Sequence, residues 1–183
     1  MKIGVPIEQL PGERRVALVP ASIAALKKAG FEVMIERGAG ERAGFPDSAY
    51  QEKGAQIAAS RADVFAADVV LQVRASDFAQ MRQGQIVIAT ADPLGSPETV
   101  RELASRGVTA FALELIPRIT RAQSMDVLSS MATIAGYKAV LLAAETLPRM
   151  FPLLTTAAGI SWRTIRSMTF WIIRCRPNPS ASA

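Results

Sequence analysis

Residues 20–36 read PASIAALKKAGFEVMIE and place a helix pattern next to a strand pattern. Pro20 stands where proline is favoured, in the first turn of a helix, and Gly30 follows two lysines as a stop signal. The apolar residues that share one face of this helix are Ile23, Leu26 and Ala29. The following run, Glu32–Glu36, is rich in side chains that favour strands. The stretch therefore predicts a helix that ends at a glycine and leads directly into a strand.

The same alternation continues on both sides of this stretch. Ser96-Pro97-Glu98 supplies an N-cap, a first-turn proline and a first-turn acid, and Gly107 marks the end of that helix. The five candidate strands are Lys2–Val5, Glu32–Glu36, Asp68–Val73, Gln85–Ala89 and Thr109–Leu113. Strands that alternate with helix-length segments indicate an α/β fold, here a Rossmann-like, open, mainly parallel sheet with flanking helices.

The longest helical pattern runs from about residue 124 to about residue 147. Its apolar seam consists of Leu128, Met131, Ala135, Ala139 and Leu142. A change of composition follows Gly159: all 12 glycines and all 16 acids precede residue 160, whereas both tryptophans, the only cysteine and four arginines follow. We therefore predict an α/β lobe over 1–123, a long linking helix and linker over 124–159, and a disordered tail of unrelated composition over 160–183.

Composition excludes several classes of function. The 183 residues contain no histidine and one cysteine, so no His/Cys zinc site, Ser-His-Asp triad or disulfide scaffold is predicted. The formal net charge is +5, but residues 1–159 hold 17 basic and 16 acidic groups, which argues against a nucleic-acid-binding face. The residues predict neither a secretory signal nor an uninterrupted apolar run of membrane-spanning length. We expect a cytoplasmic location.

A glycine-rich segment, Gly38-Ala39-Gly40-Glu41-Arg42-Ala43-Gly44, is close to the dinucleotide-binding pattern G-x-G-x-x-G/A. A true fingerprint opens a helix and is followed about 20 residues later by an acid that binds ribose. Here Phe45-Pro46-Asp47 follows at once, and Ser60 stands near the position of the acid. We therefore interpret this segment as a glycine-rich turn that binds no nucleotide.

Charged residues follow two of the predicted strands. Glu8 and Arg15 lie in the loop after the first strand, and Arg74 ends the third. The carboxyl ends of parallel strands are where ligands bind, and an arginine there can hold a carboxylate or phosphate with two hydrogen bonds. The alternative, which the residues alone favour, is a solvated charged loop and an arginine at the edge of the sheet.

The segment 117–130 reads PRITRAQSMDVLSS and is unusually rich in polar groups. It combines two guanidinium groups, an amide, a carboxylate and several hydroxyls, a mixed set of donors and acceptors that a nicotinamide ribose and carboxamide require. The alternative is a helix start with Ser124 as N-cap and Asp126 in the first turn. The residues alone leave the two interpretations equally supported.

A resemblance to a known family rests on three groups of residues. They are Gly4-Val5-Pro6 with Glu13-Arg14-Arg15, the segment Gly38-Ala39-Gly40, and above all RITRAQSMD at 118–126 with the residues up to Tyr137. These groups resemble the N-terminal, NAD(H)-binding region of the proton-translocating NAD(P) transhydrogenase alpha subunits, whose wider family includes alanine dehydrogenases.

The resemblance implies a function and a set of cofactor contacts. In that family this region binds NAD(H) and passes hydride to NADP(H), which a partner domain holds, and the transfer is coupled to proton movement through a membrane domain. It implies nicotinamide contacts by Arg118, Gln123 and Asp126, with Ser129 and Tyr137 on the following helix. The implied partners are the membrane domain, the NADP(H)-binding domain or beta subunit, and a second copy of the chain, at the cytoplasmic side of the inner membrane.

Two departures from the family pattern qualify the resemblance. Alanine dehydrogenases gather an arginine, a lysine and a histidine around their keto acid; Arg15 matches the first and Arg74 replaces the second, but no histidine exists. After Gly159 the expected Gly-x-Gly-x-x-Gly loop is missing, so we predict a truncated chain with an incomplete NAD(H) site. The alternatives are a non-enzymatic module that pairs with a full-length subunit through its long helix, and an alanine dehydrogenase relative.

Overall fold

The computed structural model describes residues 1–148. The chain divides into two compact units, Met1–Val127 and Leu128–Ala183. The predicted tail over 160–183 and the end of the predicted linker lie outside the described residues. The boundaries at 123 and 159 that we drew from the sequence remain predictions.

The first unit is built on a six-stranded sheet with the order β3-β2-β1-β4-β5-β6. The strands are β1 (Lys2–Val5), β2 (Glu32–Glu36), β3 (Gln56–Ala58), β4 (Val69–Arg74), β5 (Ile86–Thr90) and β6 (Thr109–Ala112). All five strand pairings are parallel, which confirms the predicted Rossmann-like fold class. Strand order reverses direction between β1 and β4, and ligands of doubly wound sheets bind at this switch point.

Predicted and observed strands agree closely, with one omission. β1 and β2 have the predicted bounds, and the boundaries of the other three predicted strands differ by one residue. β3 was not predicted, because three residues are too few to show a period of two.

Helices cover the sheet and contribute apolar side chains to its core. The helices of the first unit are α1 (Pro20–Lys28), α2 (Asp47–Glu52), α3 (Arg61–Phe65) and α4 (Pro97–Ser105). Ile23 of α1 is fully buried against Val5 and Ile35, and Gly30 adopts a φ of +86° just beyond the end of the helix, as its role as a stop signal requires. A second cluster, around Val70 and Val87, lies under α4.

The start of α3 is fixed by a capping box. The Ser60 hydroxyl accepts a hydrogen bond from the Asp63 backbone N–H, and the Asp63 carboxylate accepts one from the Ser60 N–H. This reciprocal pair determines where the five-residue helix begins. It thereby places Arg61 at the first helical position, with its side chain among the ends of the central strands.

The described part of the second unit is a helix, α5 (Val127–Thr146), which begins in the chain at the last residue of the first unit. The interpretation of Ser124 as the N-cap of this helix is wrong, because residues Thr120–Met125 form a separate 3-10 helix. Large apolar side chains are exposed well outside the predicted seam, at Ile134, Val140 and Leu141. The helix is therefore apolar on all sides rather than along one narrow stripe.

The length and composition of α5 bear on the expectation that this chain has no membrane-spanning segment. Although it contains no long uninterrupted apolar run, Val127–Thr146 has 20 residues and a mean hydropathy of 1.5, enough by these two measures to cross a membrane. Core helices of soluble proteins meet the same criterion, so these measures alone do not place α5 in a bilayer.

Candidate functional site

Glu8 joins the loop after β1 to the end of β4. Its carboxylate is buried and accepts hydrogen bonds from the backbone N–H of Val73, at 2.6 Å, and of Arg74, at 3.2 Å. Burial raises the pKa of this carboxyl above its ordinary value, against the lowering effect of the two hydrogen bonds. The solvated-loop interpretation is therefore wrong for Glu8, which is an internal connection between two neighbouring strands.

Arg15 is paired within its own loop. Its Nη2 lies 2.6 Å from Oε2 of Glu13 and its Nε lies 2.8 Å from Oε1, a two-pronged ion pair. Glu13 also accepts hydrogen bonds from the backbone N–H groups of Arg14 and Arg15, and together these contacts lower its pKa to about 2, with the Arg15 side chain as the largest cause. The Arg15 guanidinium is thus already engaged by a carboxylate.

Arg15 and Arg74 belong to separate segments, the loop after β1 and the end of β4. Arg74 is exposed at the end of β4, and its backbone N–H is held by Glu8. The charges of Glu13 and Arg15 both influence Glu8, so the three groups are near one another. Glu8 therefore lies between the two arginines: it accepts a hydrogen bond from the Arg74 backbone N–H and is near the charge of Arg15. The Arg15 side chain is paired with Glu13, whereas Arg74 is exposed.

The Glu13–Arg15 pair should make stability depend on pH. Because the folded-state pKa of Glu13 is depressed from 4.5 to about 2, the pair stabilises the fold fully above pH 4.5 and loses this effect as pH falls towards 2. We expect Glu13→Gln to lower the unfolding free energy at pH 7, with a difference from the unmodified chain that shrinks towards pH 2. Urea denaturation over this pH range measures the difference.

The matched control for this experiment is Glu98→Gln, which breaks an exposed pair with Arg101 on α4. Exposed pairs contribute little, so this variant should stay close to the unmodified chain throughout. A Glu13→Gln difference that is constant between pH 7 and pH 2 would contradict the assigned role.

The glycine-rich turn is filled by its own neighbours. The Gly38 N–H donates to Oδ1 of Asp47 at 2.9 Å, and a Cβ at Gly40 would lie 2.6 Å from the Phe45 carbonyl oxygen and from Cε2 of Tyr50. The segment continues into a three-residue 3-10 helix rather than a helix long enough to face a phosphate. These contacts support the interpretation as a structural turn, because Phe45, Asp47 and Tyr50 lie directly against its glycines.

Two part-buried charged side chains were missed in the sequence. Arg61 contacts carboxylates from β2 and from the loop after β4. Glu114, after β6, accepts hydrogen bonds from the backbone N–H groups of Ala91 and Asp92, while its Oε2 is buried without a hydrogen-bond partner among residues 1–148. The capping-box residues Ser60 and Asp63 could have predicted that a helix begins at Arg61. No sequence pattern identifies the distant hydrogen-bond partners of Arg61 or Glu114.

The segment that the resemblance assigns to the nicotinamide extends from Arg118 to Asp126. Its 3-10 helix, Thr120–Met125, is anchored by the buried Ala122, so that Gln123 and Arg118 are exposed and Asp126 is half-buried. The first unit thus brings three of the five predicted contact residues together on one short segment, with donors from an arginine and an amide and an acceptor from a carboxylate.

The other two predicted contact residues belong to α5 in the second unit. Ser129 lies in its first turn, and Tyr137 follows eight residues later, about 12 Å along the helix axis. Tyr137 is 69% exposed. Among the described residues no group of three or more His, Cys, Asp or Glu side chains could hold a metal ion.

Comparison with known proteins gives a consistent picture. A family model described as the N-terminal domain of alanine dehydrogenase/PNT matches residues 4–135. The NAD(P) transhydrogenase subunit alpha of Cereibacter sphaeroides is 45% identical over 163 residues, which cover 87% of this chain and 31% of that protein. The crystal structure of transhydrogenase from Sinorhizobium meliloti matches with a TM-score of 0.79 at 45% identity, over 87% of this chain and 48% of that one.

Alanine dehydrogenases are more distant. That of Bacillus subtilis is 32% identical over 152 residues, which cover 81% of this chain and 39% of the enzyme. The chain is therefore more similar to these transhydrogenases than to this dehydrogenase. It spans less than half the length of each of these relatives.

Proposed function

The chain belongs to the alanine dehydrogenase/PNT N-terminal domain family, and we propose that it serves as the N-terminal part of an NAD(P) transhydrogenase alpha subunit. In the full complex it would contribute to hydride transfer between NAD(H) and NADP(H), coupled to proton translocation. The observation that carries this proposal is the 45% identity to an alpha subunit over 87% of the chain.

The chemistry of the sheet edge favours this reaction over amino-acid oxidation. Reduction of an imine or ketone consumes a proton as well as a hydride, and therefore needs a proton donor. The chain has no histidine, and the carboxylates of Glu8 and Glu13 are engaged by backbone N–H groups and, for Glu13, by Arg15. Transfer between two nicotinamide rings moves hydride alone, so it needs the rings to be positioned but needs no proton donor. An edge of the sheet without a free proton donor is compatible with this reaction.

The residues present fit one end of NAD(H). Arg118 and Gln123 offer donors and Asp126 an acceptor, the groups that a carboxamide and a ribose need, and Ser129 and Tyr137 would add contacts from α5. The glycine-rich turn does not fit the other end, because Asp47 and Tyr50 occupy it. We therefore propose that this chain supplies the nicotinamide contacts of an NAD(H) site, and that the glycine-rich turn at 38–44 supplies none of the pyrophosphate contacts of that site. The cofactor itself supplies the hydride.

The domain organisation and surroundings follow from the same proposal. The lobe over 1–123 and the helix and linker over 124–159 would lead towards a main NAD-binding lobe, with 160–183 as an unrelated tail. NADP(H) would lie on a partner domain or beta subunit, and the assembled protein would be a dimer at the cytoplasmic side of the inner membrane.

A domain exchange tests the proposal. Residues 4–135 of this chain would replace the matching domain in the Cereibacter sphaeroides alpha subunit. In the assembled complex, which includes the NADP(H)-binding partner, hydride transfer from NADH to an NADP⁺ analogue would be followed by absorbance. We expect the chimera to retain activity within about tenfold, because four of the five proposed contact residues, all except Tyr137, lie within residues 4–135. The control carries the matching domain of the Bacillus subtilis alanine dehydrogenase and should be much less active. A folded chimera without hydride transfer would contradict the proposal.

One observation favours a second candidate. The described part of α5 has no buried residue, although it is apolar on all sides. A non-enzymatic module that pairs with a full-length subunit through this helix would cover these side chains. Co-purification with a full-length alpha subunit supports this candidate, and a monodisperse monomer in its presence counts against it.

A further inference from the structure

The switch point between β1 and β4 is occupied by the chain's own Arg61. From the first turn of α3, its Nη1 donates to Oε2 of Glu36 at 2.8 Å and to the Ile7 carbonyl oxygen at 2.9 Å. Its Nη2 donates to Oδ2 of Asp77. One guanidinium therefore joins the end of β2, the second residue after β1 and the turn after β4.

The partners of Arg61 are themselves tied to the backbone. Glu36 is the last residue of β2, the position at which Rossmann domains carry the acid that binds ribose, but here its Oε2 also accepts from the Ile7 N–H at 2.7 Å. Asp77 accepts from the Ser76 hydroxyl at 3.0 Å and has a φ of +57°, a conformation that few side chains adopt. One oxygen of each carboxylate, Oε2 of Glu36 and Oδ2 of Asp77, thus binds groups within the protein.

Because this network is part-buried, loss of its arginine should lower the stability of the fold. The side chains of Arg61 and Glu36 are 16% and 13% exposed, so both charges have lost most of their hydration. Arg61 lies 5.3 Å from the centre of the Phe65 ring, and its buried Nε has no hydrogen-bond partner among residues 1–148. Removing the guanidinium would leave two part-buried carboxylates, 13% exposed in Glu36 and 25% in Asp77, without their counter-charge, which is more costly than the loss of an exposed pair.

We propose that Arg61 is a positioning residue, which fills the nucleoside-binding crevice of the fold and so fixes the loops that carry Glu8, Arg15 and Arg74. Ile7, held by Arg61 directly and through Glu36, immediately precedes Glu8, which binds the N–H groups at the end of β4. Lysine cannot replace this group, because an ammonium lacks the planar fork that reaches three segments. The inference does not depend on the transhydrogenase proposal.

The test is chemical rescue of Arg61→Ala in the full chain, with amide hydrogen exchange measured by NMR. We expect the exchange of the Ile7 and Val73 amides, whose acceptors are Glu36 and Glu8, to rise at least about tenfold more than that of the β5 amides. About 20 mM guanidinium should restore protection by refilling the site, whereas methylammonium should not. Equal acceleration throughout the sheet, or protection unaffected by guanidinium, would overturn the proposal.

Two further variants keep the result interpretable. Arg82→Ala removes an exposed arginine that pairs with Asp68 at 3.4 Å, and it should leave the Ile7 and Val73 amides unchanged. If Arg61→Ala does not fold, Arg61→Lys tests the proposal instead, because lysine keeps the positive charge but lacks the planar guanidinium donors. In that variant Ile7 should still exchange about threefold faster relative to β5, and unchanged exchange would refute a positioning role.

Discussion

Replacement of Gly4 by alanine is expected to destabilise the first unit by about 3 kcal/mol, a large share of the stability of a typical domain. A Cβ at this position would lie 2.3 Å from the Val64 carbonyl oxygen and 2.9 Å from its Cγ1. β1 cannot move away, because Gly4 is paired with Met34 on one side and Val70 on the other. Urea denaturation followed by circular dichroism measures the effect as a lower midpoint.

Gly136→Ala is the matched control for this substitution. A Cβ at Gly136 meets nothing within 4 Å, and alanine is favoured over glycine in a helix by about 1 kcal/mol. This variant should therefore be at least as helical as the unmodified chain. A Gly4→Ala midpoint equal to that of the unmodified chain would show that α3 can retreat from β1, contrary to the packing described here.

Gly4 also illustrates what the sequence reveals and what it conceals. Local patterns identified β1 and β2 to the residue, because propensity and turn signals act over a few neighbouring positions. The need for glycine at position 4 arises from Val64, which is 60 residues away in the sequence and close only after α3 packs on the sheet. A contact of that kind leaves no periodic pattern.

The candidate site also has features that the sequence could predict and features that depend on distant contacts. Glu8 was singled out for its place after a strand, but its acceptance of the Val73 and Arg74 N–H groups, 65 and 66 residues on, could not be deduced. Arg61 was missed because its partners come from three separate elements. The roles proposed for Arg118, Gln123 and Asp126 come from a family resemblance, since side chains that would contact a nicotinamide need no packing pattern of their own.

Arg118→Gln in the chimera that carries residues 4–135 is expected to lower the rate of hydride transfer by about 100-fold, with little change in KM for NADH. This prediction rests on the proposed function. The guanidinium would orient the nicotinamide by donating two hydrogen bonds, and glutamine offers a shorter, uncharged group. Because hydride transfer needs the two rings in close and aligned contact, a displacement of about 1 Å suffices for a loss of this size. Single-turnover absorbance measurements separate this step from product release.

Arg121→Gln provides the control, since Arg118 and Arg121 are both exposed, three residues apart, and Arg121 lies within the 3-10 helix Thr120–Met125. The same change of charge is made in each variant, so a general electrostatic effect on a negatively charged cofactor would slow both equally. A specific contact predicts loss in Arg118→Gln and a rate within about twofold of the parent chimera in Arg121→Gln. Equal losses in the two variants would show that Arg118 makes no specific contact with the nicotinamide. The segment would then attract the cofactor only through its overall positive charge.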